Sequence, residues 1–418
     1  MEEETKEYLA KRGCRFLNEQ ELKAHLAALL RLENIGVFLG NGASTVAGSK
    51  LFGKIWEDFV QNYPGEYSWL QEQNFLPGME SSGNDSNSYV NVEDLLDNIE
   101  IALKEWQRAR NPELDNLKRV RYFLYKKIIK AAILKEEWWE NPEKILEGPP
   151  ELSCHRILLQ RLVPSRQPGQ TPPWIFTTNY DLVIEWAAES INLKVTDGFE
   201  GLHCRSFSPH SFDLGYRNML AKGEAKFGIY NIYLVKLHGS LTWQESKEYD
   251  TYFELSAQTA WEKIKSFLES EDSDVSLPII FPFAAKYMQT IGFVLGELFR
   301  RFTEFLARPQ TCLIICGFSF SDKHLNQLIF RALQNPTLHL IICDPEAEII
   351  NNGTELIFKT NNKWLNKLAQ LNSQQITFIG NGHNAYFKSL VHYLPEPALY
   401  DEKLEEIKKF LKEISSER

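Results

Sequence analysis

A chain of 418 residues that is 43% apolar, 24% charged and 12% aromatic can build a large core, which excludes a disordered scaffold. With 46 basic against 56 acidic side chains the net charge is −10, so a whole-surface basic footprint for nucleic acid is excluded. No apolar run reaches the ~18 residues of a membrane span, and the opening MEEETKEYLAKR has no signal-peptide core, so a soluble, cytoplasmic protein with no membrane partner is expected.

In chain order, residues 1–30 read as an N-terminal helical segment. Short apolar runs bounded by turn residues follow at Ile35–Gly42 (IGVFLGNG), Pro173–Asp181 (PWIFTTNYD) and Ile232–Ser240 (IYLVKLHGS). More stand at Pro278–Phe283, Cys312–Ser319 (CLIICGFS), Leu338–Pro345 (LHLIICDP) and Ile376–Gly382 (ITFIGNG). Such runs suit strands buried on both faces. Helical patterns at Asp181–Ile191, Gly292–Ala307 and Asp322–Leu333 separate several of them. Strand–helix alternation predicts an α/β fold: a Rossmann-like, mostly parallel sheet with helices on both faces, over residues 31–60 and 166–395.

The stretch between the first two runs has no strand character. Glu80–Asn91 is polar and reads as a mobile loop, a candidate lid. Two amphipathic patterns follow it, so 61–165 is read as a helical insertion whose Lys118, Arg119, Arg121, Lys126, Lys127 and Lys130 form a solvated face. Residues 396–418 read as a C-terminal amphipathic helix with Leu404, Ile407, Phe410, Leu411 and Ile414 on one side. The six cysteines form no CxxC pair, which argues against a zinc ribbon or a disulfide framework; Cys312, Cys316 and Cys343 read as buried core thiols.

Several strand ends carry chemistry. Gly40-Asn41-Gly42-Ala43-Ser44 has the small residues of a phosphate cradle, with a helix expected to start near Ser44; a plain tight turn is the alternative. Thr177-Thr178-Asn179-Tyr180-Asp181 brings polar groups to the sheet edge where ligands collect, although Asn179 or Asp181 could simply cap the next helix. In Lys236-Leu237-His238-Gly239-Ser240 a strand delivers an imidazole to that edge, suited to general-base work. Gly317-Phe318-Ser319-Phe320-Ser321-Asp322 is a small-residue turn that either holds sugar or phosphate hydroxyls or only caps its helix through Ser321 or Asp322. Asp344 and the Gly380–His383 turn could border an adenine or ribose, or be plain turns.

In this order the motifs resemble those of the sirtuin-like superfamily, over roughly residues 30–60 and 170–390. GNGAS is similar to its phosphate loop, TTNYD to its T-Q-N-x-D turn, KLHGS to the segment with its catalytic His, and GFSFSD to its ribose-contacting turn. The resemblance implies NAD as substrate, met by Gly40, Asn41, Gly42, Ala43, Ser44, Thr178, Gly317, Ser319 and Asp344. Gly40, Gly42 and Ser44 would hold the diphosphate by backbone and hydroxyl donors. Asn179 would position ribose and water, His238 would accept a proton, and Asp181 would orient its neighbours or stabilise developing positive charge. Deacylating sirtuins carry a four-cysteine zinc module after the catalytic His. No cysteine lies between Trp243 and Pro278 here, so no zinc is expected. Thr178 in place of Gln and Asn41 in place of Ala are similar to the bacterial anti-phage branch, which hydrolyses NAD to nicotinamide and ADP-ribose. The length is similar to its stand-alone type, which assembles with a HerA-type ATPase/helicase. A homo-oligomer, gating by assembly, and nucleic-acid contact only through the complex are then expected. A protein deacylase, and a nucleotide-sensing or nuclease-like subunit, are the competing classes.

Overall fold

A computed structural model describes residues 8–76, 90–164, 166, 170–216, 231–246, 251–270, 293–351 and 356–396. The expected lid up to residue 89, the run Pro278–Phe283 and the tail beyond residue 396 lie outside the described residues.

The described strands are β1 (Tyr8–Arg12), β2 (Arg15–Asn18), β3 (Asn34–Leu39), β4 (Trp174–Thr177), β5 (Lys194–Thr196), β6 (Phe199–Glu200), β7 (Arg205–Phe207) and β8 (Asn231–Lys236). They continue with β9 (Trp243–Ser246), β10 (Thr251–Glu254), β11 (Thr311–Cys316), β12 (Leu338–Cys343), β13 (Glu348–Asn351), β14 (Leu356–Lys359) and β15 (Ile376–Ile379). A 9-stranded sheet runs β2-β1-β15-β12-β11-β3-β4-β8-β5. From β15 to β5 every pairing is parallel; β1 joins β15 antiparallel and β2 joins β1 antiparallel. The expected mostly parallel α/β sheet is therefore present.

Alternation explains the layers, because successive strand residues point to opposite faces. Ile35, Val37 and Leu39 of β3, with Cys312, Ile314 and Cys316 of β11, enter one core. Phe38, Leu313 and Ile315 enter the other, where Phe302 and Phe305 of helix Phe293–Ala307 pack. The buried thiols are core residues on the sheet, as their apolar runs imply.

The N-terminal segment departs from expectation. Tyr8–Arg12 and Arg15–Asn18 are edge strands, and only Glu19–Leu29 is helical. Five residues carry too little periodicity to separate a short edge strand from a helix; pairing with β15 decides it. Between β3 and β4 every described element is helical. A third core fills this lobe, gathering Phe59, Leu95, Ile99, Leu117, Tyr125 and Ile129. Helix Ala257–Glu269 joins it through Trp261 and Phe267, and Trp138 and Trp139 meet Trp186 edge-on from the sheet domain. Helix Ser153–Leu162, expected inside the insertion, instead packs Leu158, Leu159 and Leu162 against the sheet core.

Candidate functional site

Strand order sets the location. From β3 the chain goes to β4 on one side, and the sheet later continues from β11 on the other, so the C-terminal ends of β3 and β11 mark a topological switch point. There the Gly40–Ser44 and Gly317–Asp322 segments pack backbone to backbone. The Gly40 N–H donates to the Cys316 carbonyl at 3.0 Å and the Gly42 N–H to the Gly317 carbonyl at 2.9 Å. Gly317 has φ +69°, and a Cβ on it would stand 2.2 Å from the Ala43 nitrogen. A Cβ on Gly40 would stand 2.4 Å from the Gly317 carbonyl oxygen. Glycine is required at both positions by this contact.

That geometry corrects two expectations. The N–H groups of Gly40 and Gly42, expected to face a diphosphate, are spent inside the protein, and Ala43 donates to the Gly40 carbonyl at 3.0 Å. The helix also begins at Asn41 rather than near Ser44, as a short turn Asn41–Ser44. The Asn41 side chain anchors the next loop, accepting from Ser49 Oγ at 2.8 Å and donating to the Lys50 carbonyl at 2.7 Å.

The β4 turn is tied to this junction. Thr177 Oγ1 donates to the Leu39 carbonyl at 2.8 Å and accepts from the Asn179 N–H at 3.0 Å. Asn179 Nδ2 donates to the Gly40 carbonyl at 3.1 Å and to Ser44 Oγ at 2.8 Å. Its Oδ1 is buried and, among the described residues, accepts from no group. Ser44 in turn hydrogen-bonds the Asp181 carboxyl, which also accepts from the Val183 N–H at 3.2 Å. Burial pushes that carboxyl above its usual range, against the pull of the Lys236 ammonium, the Ser44 hydroxyl and the Val183 N–H. Asp181 thus accepts the first N–H of helix Val183–Glu189, whose N-cap is Leu182, and also touches Ser44, so both readings of this residue meet in one side chain.

Beneath the turn Lys236 is almost fully buried. Its Nζ donates to the Asp181 carbonyl and, at 2.9 Å, to Glu185 Oε1. Burial raises the Glu185 carboxyl as well, with Lys236 opposing. The next turn is stitched alongside: the Leu237 N–H donates to the Thr177 carbonyl at 2.8 Å and the Leu241 N–H to the Tyr180 carbonyl at 3.0 Å. This brings His238 to the same edge, where its Nε2 lies 3.2 Å from Asp322 Oδ2.

These groups open onto one cleft of about 590 Å³, within the range of small-molecule and cofactor sites. Asn41, Gly42, Thr178, Asn179, Asp181, His238, Gly317 and Ser319 line it. Leu51, Phe52, Ile55, Ile128 and Ala132 form an apolar wall from the lobe opposite. Gly40, Ala43 and Ser44 stand behind the lining. Asp344 is not among the lining residues: its carboxylate accepts from Thr360 Oγ1 at 2.6 Å and from the Glu346 N–H at 3.1 Å, and Glu346 reaches the cleft instead.

Residues 173–365 match a family model described as a SIR2-like domain. This stretch is similar to SIR2-like domains. It holds the Asn179, His238 and Gly317 turns, while Gly40–Ser44 precede it and join it through the Gly317 junction. No curated protein matches the chain. Among solved structures, a Sir2 homologue in complex with NAD is 13% identical, covering 89% of this chain and 93% of that one, with TM-score 0.42. A Sir2 homologue mutant in complex with 2′-O-acetyl ADP ribose is 13% identical, covering 89% and 95%, with TM-score 0.39. Sir2Tm bound to a propionylated peptide is 12% identical, covering 77% and 85%, with TM-score 0.33. Among the described residues no helix is long and apolar enough to cross a membrane.

Asp322 also lines the cleft, beside an imidazole; the sequence offered it as a helix cap within a turn that could also hold sugar or phosphate hydroxyls. Its signal was an acid on a small-residue turn at the same sheet edge as an imidazole.

Proposed function

We propose that this chain is an NAD+ glycohydrolase that cleaves the nicotinamide–ribose bond. The observation that carries the reading is the meeting of Asn179 and His238 in a single cleft at the switch point of a SIR2-like domain. The orphaned, buried Asn179 Oδ1 supports it, since a buried acceptor without a donor is costly and a ribose hydroxyl supplies one. In this reading the dinucleotide's diphosphate lies in the cleft beside the Gly42–Gly317 contact. The Ser319 and Ser321 hydroxyls and the Asn41 N–H, first in its helical turn, are the donors for it.

In the proposed reaction the C1′–N bond breaks and its electron pair leaves with nicotinamide. A water oxygen bonds to C1′, giving ADP-ribose. His238 takes the proton from the water or from a ribose hydroxyl that activates it, a role typically worth ~10²–10⁴-fold. Asn179 holds the sugar and aims the water. Asp181 fixes Ser44 and, through it, the Asn179 amide. The apolar lobe wall keeps bulk water from the site.

The finer reading is a role in anti-phage defence by NAD depletion in the cytoplasm, gated by homo-oligomerisation or by a HerA-type ATPase/helicase. Thr178, Asn41 and the absence of cysteine between Trp243 and Pro278 support it over deacylation. The test is nicotinamide release from NAD by the wild type, by Asn179→Ala and by His238→Ala, with and without an acetylated peptide. Release that both substitutions abolish and the peptide leaves unchanged is expected. Release requiring the peptide would point to deacylation, and unchanged release in both variants would end the assignment.

A further inference from the structure

We propose that Asp322 is the positioning residue of His238, fixing which ring nitrogen carries the proton. This rests on the reading of His238 as the proton acceptor. The Oδ2 atom of Asp322 lies 3.2 Å from His238 Nε2, and both side chains are largely buried. A carboxylate there accepts an N–H, so the neutral imidazole keeps its proton on Nε2 and its basic lone pair on Nδ1.

The carboxylate is itself held rigidly. Its Oδ1 accepts the N–H groups of His324 at 2.8 Å and Leu325 at 3.0 Å, capping helix Lys323–Ala332. Two residues earlier the Phe320 backbone sits in the left-handed region at φ 55°, and its carbonyl accepts Asn326 Nδ2 at 2.7 Å. That bond pins the turn presenting Asp322. Burial pushes the Asp322 carboxyl up, but His238 and the two backbone N–H groups outweigh it and hold the group below its usual range. It therefore stays ionised and acceptor-only at neutral pH, as the pairing needs.

Other charged groups line the same cleft. Asp181 stands on the β4 turn, Lys50, Lys54 and Glu57 on the lobe side, and Glu346 beyond β12, while Lys236 lies beneath with Glu185. Asp322 is the carboxylate in hydrogen-bond range of Nε2.

Asp322→Asn separates the two duties. Its amide oxygen still caps the helix, because Asn and Asp cap about equally well, but the charge facing Nε2 is gone and an N–H₂ stands there instead. Asp322→Ser keeps the cap and removes the contact entirely. The full-length chain carrying ¹⁵N-histidine is titrated by NMR, with His238 assigned through His238→Gln, alongside nicotinamide release from NAD. The wild type should show the Nε2–H tautomer, with its midpoint about one pH unit above that of Asp322→Asn. Release by both variants should fall about 100-fold or more at unchanged KM, with both variants still unfolding cooperatively. The same tautomer and midpoint in wild type and Asp322→Asn overturn the proposal whatever the turnover. Lost release with a lowered melting temperature and an unmoved midpoint overturns it too, leaving Asp322 a cap. A shifted midpoint in a wild type that releases no nicotinamide supports the pairing and overturns the hydrolase reading.

Discussion

Asn179 Nδ2 donates to Ser44 Oγ at 2.8 Å, across two segments that the sequence places far apart. Ser44 then reaches the Asp181 carboxyl, so one hydroxyl links the amide and the acid of the β4 turn. Replacing Ser44 by Ala leaves a buried N–H without its partner and Asp181 without one donor. The expected loss is about 1–3 kcal/mol of stability. Nicotinamide release should fall more than the melting temperature alone accounts for, as the Asn179 amide loses its orientation. Calorimetry together with initial rates on NAD checks this, and Ser44→Ala with wild-type rates would show that the link does not orient the site.

The Gly317 junction yields a stability prediction. Gly317→Ala combines a positive φ with a Cβ 2.2 Å from a backbone nitrogen, a contact no rotamer relieves. A loss on the order of 2 kcal/mol or more is expected from strain alone. At Gly65, in helix Pro64–Glu72, a Cβ meets nothing within 4 Å. Gly65→Ala should be neutral or stabilising by up to ~1 kcal/mol. Urea midpoints of the two variants should move in different directions or by clearly different amounts.

Lys236 makes a prediction whose sign depends on pH. The Asp181 and Glu185 carboxyls are raised by burial, so the folded protein binds their protons more tightly than the unfolded chain does. Their contribution is fully present below the unfolded value of about 4 and is lost as pH rises through the folded values. Lys236 opposes the shift on both groups. Lys236→Met removes that opposition and leaves buried carboxylates unpaired, costing about 3–5 kcal/mol at neutral pH. The penalty should shrink as the pH falls and the raised carboxyls take up protons. Urea unfolding at pH 5 and pH 8 checks it; an equal loss at both would mean that neither carboxylate depends on Lys236.

The parallel sheet was legible because β3, β4, β8, β11, β12 and β15 are apolar on alternating faces and both faces are covered, which leaves continuous apolar runs in the sequence. The edge pair β1–β2 and the short strands β6, β7, β9 and β10 were not. Each depends on a partner strand more than on its own pattern, as YLAKR shows by pairing with Ile379 and its neighbours near the far end of the chain. At the site, strand-end position and the resemblance of TTNYD and KLHGS to sirtuin-like motifs marked Asn179 and His238. The fate of the Gly40 and Gly42 N–H groups was hidden, because their acceptors, Cys316 and Gly317, come from a distant segment. For the same reason the second oxygen of Asp322 was invisible: capping is local in sequence, whereas the contact to His238 spans the fold.

That Asn179 and His238 act on one sugar is tested most directly by a double-mutant cycle on nicotinamide release, using wild type, Asn179→Ala, His238→Ala and the pair. Residues working on the same bond-breaking step couple strongly, so the double variant should be about as slow as the slower single variant. Independent, multiplying losses, or release that neither substitution slows, would contradict the account.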